Sequence, residues 1–243
     1  MAEERKTILA IGGHGGDMEL TTGAVMAKYA KKGWRAVFLG LTPGEKGHPT
    51  LSAHEYCKQK LAESHKAAAL LGCESMFLDY KDAELPRNDE AAYKVCDIIR
   101  ELKPTIVLTH WSGSMHKDHE NTHYIVKDAV FYAGLRTIER SLPHHGVSQV
   151  YYADNWEDPY DFKPEVFIDI TETRDLWIQA MNECAYARGE TSGFNFVDYY
   201  SALSKVRGEI AGFPYAQAFA VRPGSLEQRV QFFHDKDDYL VNL

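Results

Sequence analysis

Short apolar runs alternate with amphipathic stretches along the first half of this chain, and that alternation sets the expected fold. Thr7 to Ile11, Ala36 to Leu41 and Thr105 to Thr109 are continuous apolar runs with β-branched residues, the pattern of strands buried on both faces, and Ser75 to Leu78 also reads as a strand. Between them Leu20–Lys32, Ser52–Leu71 and Glu90–Leu102 read as helices, closed respectively by Gly33, by Gly72 and by the Pro at position 104. A further helix is expected over Glu120–Leu135. Strands are expected at Gln149–Ala153 and Val166–Ile170, then a helix over Asp175–Arg188. From Phe196 onward the chain is rich in aromatics and shows no clean period. Strand–helix alternation of this kind implies a mostly parallel α/β sheet covered on both faces, followed by an irregular C-terminal part. No linker, repeat or low-complexity segment interrupts it, so residues 1–243 are expected to form one domain.

Composition narrows the function classes. The net charge of −8 gives no basic footprint for a nucleic-acid partner. Four cysteines, Cys57, Cys73, Cys96 and Cys184, lie far apart with no C-x-x-C pair, which suits reduced thiols. No stretch is apolar for long enough to span a membrane, and the opening residues lack an apolar signal core, so a cytoplasmic protein is expected.

Candidate chemistry sits where two of the apolar runs end. After Thr7–Ile11 come Gly12-Gly13-His14-Gly15-Gly16-Asp17-Met18-Glu19. After Thr105–Thr109 come His110, Trp111 and then His116-Lys117-Asp118-His119. The C-terminal ends of parallel strands are where open α/β sheets build their sites. Imidazoles and a carboxylate supplied from two such ends are the donor types of a catalytic zinc site, which uses about three protein ligands. A dinucleotide site is the obvious rival for a glycine-rich turn after a first strand. The fingerprint G-x-G-x-x-G counted from Gly13 would need glycine where Met18 stands, and an acid at Asp17 would face a pyrophosphate.

The pair H-x-x-D-x-E and H-x-D-H resembles the LmbE-like, or PIG-L, family of zinc-dependent de-N-acetylases. Leu41-Thr-Pro-Gly-Glu45, Glu63 with Ala67–Gly72, Phe77–Tyr80 followed by Asp82, and Tyr215–Phe219 are similar to further family segments. The resemblance implies a Rossmann-like three-layer αβα fold. It implies zinc, or another divalent metal, on His14, Asp17 and His119. It makes His116 an acid or oxyanion stabiliser oriented by Asp118, and Glu19 a partner behind the ligands. Glu45 and His110 are further candidates near the substrate. The implied activity is removal of an acetyl group from an N-acetylated sugar or conjugate, a small carbohydrate-like molecule, by a chain that forms trimers or hexamers.

One position departs from the family pattern. The family writes two adjacent acids after the first histidine, the first being its general base; here Gly16 stands in that place. A positioned base contributes about 10²–10⁴ in rate. Three arrangements compete: another acid such as Glu45 or Glu19 reaches the water, His116 serves as base and then acid, or the scaffold runs a different reaction. A protein that keeps the metal but only binds its ligand is the non-catalytic alternative.

Overall fold

The computed structural model describes residues 5–221 and 238–240. The elements follow the order β1 (Thr7–His14), α1 (Asp17–Lys31), β2 (Arg35–Thr42), α2 (Ala53–Leu70), β3 (Glu74–Phe77), α3 (Asp89–Leu102) and β4 (Ile106–Thr109). Then come α4 (Lys117–Gly134), β5 (Gln149–Ala153), β6 (Val166–Asp169), α5 (Arg174–Met181), α6 (Phe196–Ala211), β7 (Ala216–Val221) and β8 (Asp238–Leu240). Among the described residues these strands form one sheet in the order β3-β2-β1-β4-β5-β7-β6-β8. The first five run parallel. β7 pairs antiparallel with both β5 and β6, and β8 pairs antiparallel with β6. The fold is α/β, with helices on both faces of a mixed sheet.

β1 shows why a continuous apolar run was needed. Successive side chains of a strand point to opposite faces. Ile8 and Ala10 pack into the layer formed with α1, α2, α5 and α6, while Leu9 and Ile11 pack into the layer formed with α3 and α4. Burial on both sides leaves no polar position within Ile8–Ile11.

The sheet order also locates the site. From β1 the chain moves outward through β2 and β3, then returns to place β4 on the other side of β1. The helices that follow β1 and β4 therefore leave in opposite directions, which opens a crevice at the C-terminal ends of these two strands. In register, Ile11 stands beside Thr109, and the Thr109 hydroxyl donates to the Ile11 carbonyl at 2.9 Å. His14 and the His110–His119 segment thus start from adjacent points.

Two regions differ from the pattern-based reading. The helix expected over Asp175–Arg188 stops at Met181, and the chain goes on through successive turns. There the N–H of Cys184 bonds the Met181 carbonyl and that of Ala187 bonds the Cys184 carbonyl. These turns bury Cys184, Ala185 and Ala187 and bring Tyr186 over the β1–α1 turn. The stretch from Phe196 holds a regular helix and a fully buried strand, α6 and β7. The end of α4 is fixed by Arg100, a buried side chain of α3. Its guanidinium donates to the carbonyls of Tyr132, Leu135, Ile138 and Leu142, all at 3.0–3.1 Å.

Candidate metal centre

Gly12 and Gly13 carry β1 into the site without side chains. A Cβ on Gly13 would stand 3.2 Å from Cδ2 of His119, so glycine lets the His119 ring lie against the strand end. Gly16 follows with φ +101°, a left-handed conformation that turns the chain into α1. This sharp turn folds Asp17 back onto His14, whose backbone N–H donates to Asp17 Oδ2 at 2.8 Å.

Three donor atoms then converge. His14 Nδ1 lies 3.1 Å from Asp17 Oδ2, His119 Nε2 lies 3.1 Å from the same oxygen, and the two nitrogens are 3.2 Å apart. Donors held 2.0–2.1 Å from a tetrahedral ion stand about 3.3–3.4 Å apart, so this triangle is close to one face of such a coordination sphere. The outer nitrogens of both imidazoles meet acids. His14 Nε2 faces Asp82 Oδ1 at 3.1 Å and Asp118 Oδ2 at 3.4 Å; His119 Nδ1 faces Glu157 Oε2 at 3.2 Å, with Asn155 Nδ2 at 3.5 Å. A carboxylate behind a ligating histidine fixes its ring and raises its basicity. Imidazole, carboxylate, spacing and outer partners all fit a divalent first-row metal.

The electrostatics reflect the crowding of opposite charges. Burial alone would push His14 down, but Asp17 together with Asp118 and Asp82 holds it well above the ordinary histidine value. Burial would raise Asp17, yet His119 and His14 keep its carboxyl well below the usual range. Asp82 is likewise opposed by burial and held down to about 2 by its contact with His14. Glu157 is raised by burial, and His119 only partly offsets this.

His116 caps the N-terminus of α4. Its Nδ1 accepts the Asp118 backbone N–H at 3.2 Å, while the ring stacks on His119 with centroids 4.5 Å apart. With Nδ1 occupied as an acceptor, the proton of the neutral ring is on Nε2. Burial lowers the His116 pKa, helped by the charges of His119 and His14. Asp118 thus reaches His116 through its backbone; its carboxylate accepts the Ala83 N–H at 2.6 Å and faces His14.

The remaining candidates stand further from the donors' open side. Glu19 accepts the Gly16 N–H at 3.1 Å, and burial pushes its carboxyl up to about 7. Glu45 accepts the Asp82 N–H through both oxygens, at 3.1 and 3.3 Å. His110 is fully buried behind His119, stacked at 4.0 Å, and its Nε2 accepts the Gly13 N–H at 3.0 Å. Burial pushes His110 down to about 3. Trp111 donates to the Tyr160 carbonyl and packs edge-on against Tyr152 and Phe162, so it braces its loop.

Sequence reasoning gave no role to Asp82, Asn155, Glu157, Lys60 or Tyr186. All five line a cavity of about 210 Å³ that also exposes His14, Asp17, His116 and His119. Tyr186 occupies the space beside Gly16. Its hydroxyl donates to the Gly16 carbonyl at 2.7 Å, and a Cβ on Gly16 would stand 2.3 Å from that hydroxyl oxygen. The volume into which a side chain at position 16 would project is filled.

The fold is an α/β sheet with a histidine–aspartate–histidine cluster at the β1/β4 crevice, and sequence comparison assigns the chain to a family. The model of the GlcNAc-PI de-N-acetylase (PIG-L) family matches residues 9–130, and the chain belongs to that family. A diacetylchitobiose deacetylase from Thermococcus kodakarensis is 27% identical over 242 residues, covering 94% of this chain and 88% of its own length. A 4-oxalmesaconate hydratase from Pseudomonas putida is 23% identical over 220 residues, covering 86% and 82%. The crystal structure of a 4-carboxy-2-hydroxymuconate hydratase from Pseudomonas putida KT2440 superposes with a TM-score of 0.81 at 21% identity. That match covers 88% of this chain and 95% of the other. Among the described residues no helix is long and apolar enough to cross a membrane.

Proposed function

We propose that the protein is a metal-dependent hydrolase that removes an acetyl group from an N-acetylated sugar or sugar conjugate, with His14, Asp17 and His119 as metal ligands. The observation that carries this reading is the triangle of donor atoms at 3.1–3.2 Å opening beside His116. Family membership and the diacetylchitobiose deacetylase relative support it. A zinc ion bound there would polarise the acetyl carbonyl and make water acidic enough to attack it near neutral pH.

The chain's own groups supply the rest. The Nε2–H of His116 donates to the carbonyl oxygen as negative charge develops on it. The Asp118 N–H holds the ring in that tautomer. Asp82 and Glu157 keep His14 and His119 oriented. Position 16 offers no carboxylate, so the proton of the attacking water passes to water in the cavity, which also protonates the departing amine, and the reaction is slow for its class by a factor of about 10²–10⁴.

A second reading is favoured by Gly16. That reading is addition of water to an activated carbon–carbon double bond: Gly16 departs from the acid the deacetylase pattern uses, and one relative is a hydratase. Acetate release separates the two readings. Zinc-loaded protein is incubated with a panel of N-acetylated sugars beside Asp17→Ala. Release by the native protein and none by the variant supports deacetylation. Silence from native protein that carries one zinc per chain counts against that reading and leaves water addition or ligand binding without turnover.

A further inference from the structure

The cavity holds a cation that the catalytic groups do not use. Lys60 lies on the buried face of α2 with Tyr56 and Ser64, one helical turn to either side, and only 6% of it is exposed. Its ammonium borders the cavity and forms no hydrogen bond or ion pair with a described residue. The Tyr186 ring lies against it, its centroid 4.0 Å from Nζ. Glu19 feels the lysine's charge without a hydrogen bond to it, and its carboxylate accepts the Gly16 N–H. A lysine is rarely buried this far without an anion, because removing an ammonium from water costs several kcal/mol, while a cation–π contact returns about 2.

Its placement relative to the donor triangle is defined by Gly44. A Cβ built there would stand 3.0 Å from the His14 Cβ and 3.3 Å from the Lys60 Cε, so the lysine chain passes beside the His14 side chain, the two carbons no more than about 6 Å apart. Among the described residues no arginine and no other lysine lines the cavity; the other charged groups there are Asp17, Asp82, Glu157 and the histidines. One fixed positive charge therefore shares this cavity with the donor triangle.

We propose that the substrate carries a carboxylate and that Lys60 receives it while the reacting group lies at the His14–Asp17–His119 centre. This deepens the function proposed above and rests on its assignment of the metal ligands. A singly charged anion suits the surroundings better than a phosphate dianion, since Asp17, Asp82 and Glu157 share the same walls. Tyr186 acts here as a positioning residue. Its ring supports the ammonium, and its hydroxyl, fixed on the Gly16 carbonyl, keeps the ring in place.

Calorimetric binding to zinc-loaded protein tests this without requiring turnover. Acetate is compared with malonate, succinate and glutarate on the native protein, Lys60→Met and Lys60→Arg, each checked for bound zinc and thermal unfolding. The native protein is expected to bind the best-fitting dicarboxylate at least tenfold more tightly than acetate. That advantage is lost in Lys60→Met and kept in Lys60→Arg. Equal affinities in the native protein, or an advantage that survives in Lys60→Met, overturns the proposal. Should Lys60→Met not fold, Lys60→Gln takes its place, and the native series alone still decides. Acetate release from N-acetylglucosamine and N-acetylmuramic acid keeps the two readings apart. If neither sugar is cleaved while the Lys60-dependent dicarboxylate preference persists, deacetylation falls and the carboxylate site stands. If both are cleaved with equal kcat/KM and no dicarboxylate preference is seen, the site falls and deacetylation stands.

Discussion

Restoring an aspartate at position 16 is the obvious way to supply the missing base, and the geometry predicts that it fails as a single change. The backbone at Gly16 has φ +101°, where a side chain costs about 1–2 kcal/mol relative to glycine. A Cβ there would meet Tyr186 Oη at 2.3 Å and its Cε1 and Cζ at 2.6 Å. Relieving such a clash means displacing a ring that also bears on Lys60, and overpacking of this kind costs about 1–3 kcal/mol. Gly16→Asp should therefore lose about 2–5 kcal/mol, the sum of the two effects. Tyr186→Ala relieves the clash but not the backbone strain, so Gly16→Asp/Tyr186→Ala should be less destabilised than the two single changes added, by at least about 1 kcal/mol. Urea unfolding of the four proteins, stripped of metal and zinc-loaded, measures the cycle. Acetate release above the native rate is expected only from the double variant. A Gly16→Asp protein within about 0.5 kcal/mol of native, or strict additivity, would refute the interlock.

Three further outcomes follow from groups outside the donor triangle. Glu157→Gln weakens the acceptor behind His119 Nδ1 and should lower zinc affinity about 10–100-fold, read by competition with a chelator; unchanged affinity would show that Glu157 does not orient the ligand. Asp158 is buried, and burial pushes its carboxyl up to about 7, so the folded chain keeps a proton that the unfolded chain has lost between about pH 4 and 7. Stability should fall as pH rises through that window, and Asp158→Asn should gain about 1–3 kcal/mol over native at pH 8 but little at pH 4.5; equal gaps at both pH values would contradict this. Arg100→Leu leaves four carbonyls, at the end of α4 and in the segment after it, without their donor and should cost about 3 kcal/mol in urea unfolding, while a loss under about 1 would show that water replaces the guanidinium.

What could be read from the chain was whatever is written within a few consecutive residues. His14 ends one buried strand with Asp17 just after it, and His116, Asp118 and His119 follow another. The rule that parallel strands offer their C-terminal ends was enough to expect the clusters to meet. The adjacency of β1 and β4 is the sheet-level fact that does so. Asp82, Asn155 and Glu157 come from loops, where no periodicity marks a residue as facing inward. Lys60 lies on a helix whose composition is that of a solvated surface, and only the packed structure shows it buried. Tyr186 depends on the helix ending at Met181, where no proline or glycine announces a stop; short-range turn bonds took over because they bury Cys184 and Ala187. For α6 the signals were present and unused: Asn195 caps its start by accepting the Asp198 N–H, and Gly212 closes its end with φ +79°.

The most direct test is a zinc titration of chelator-stripped protein in which bound metal and acetate release from N-acetylmuramic acid are followed together. Both signals are expected to saturate at one equivalent per chain, and both should be lost in Asp17→Ala. Full zinc binding in Asp17→Ala, or acetate release that does not depend on added metal, would contradict a His14–Asp17–His119 centre as the seat of the reaction.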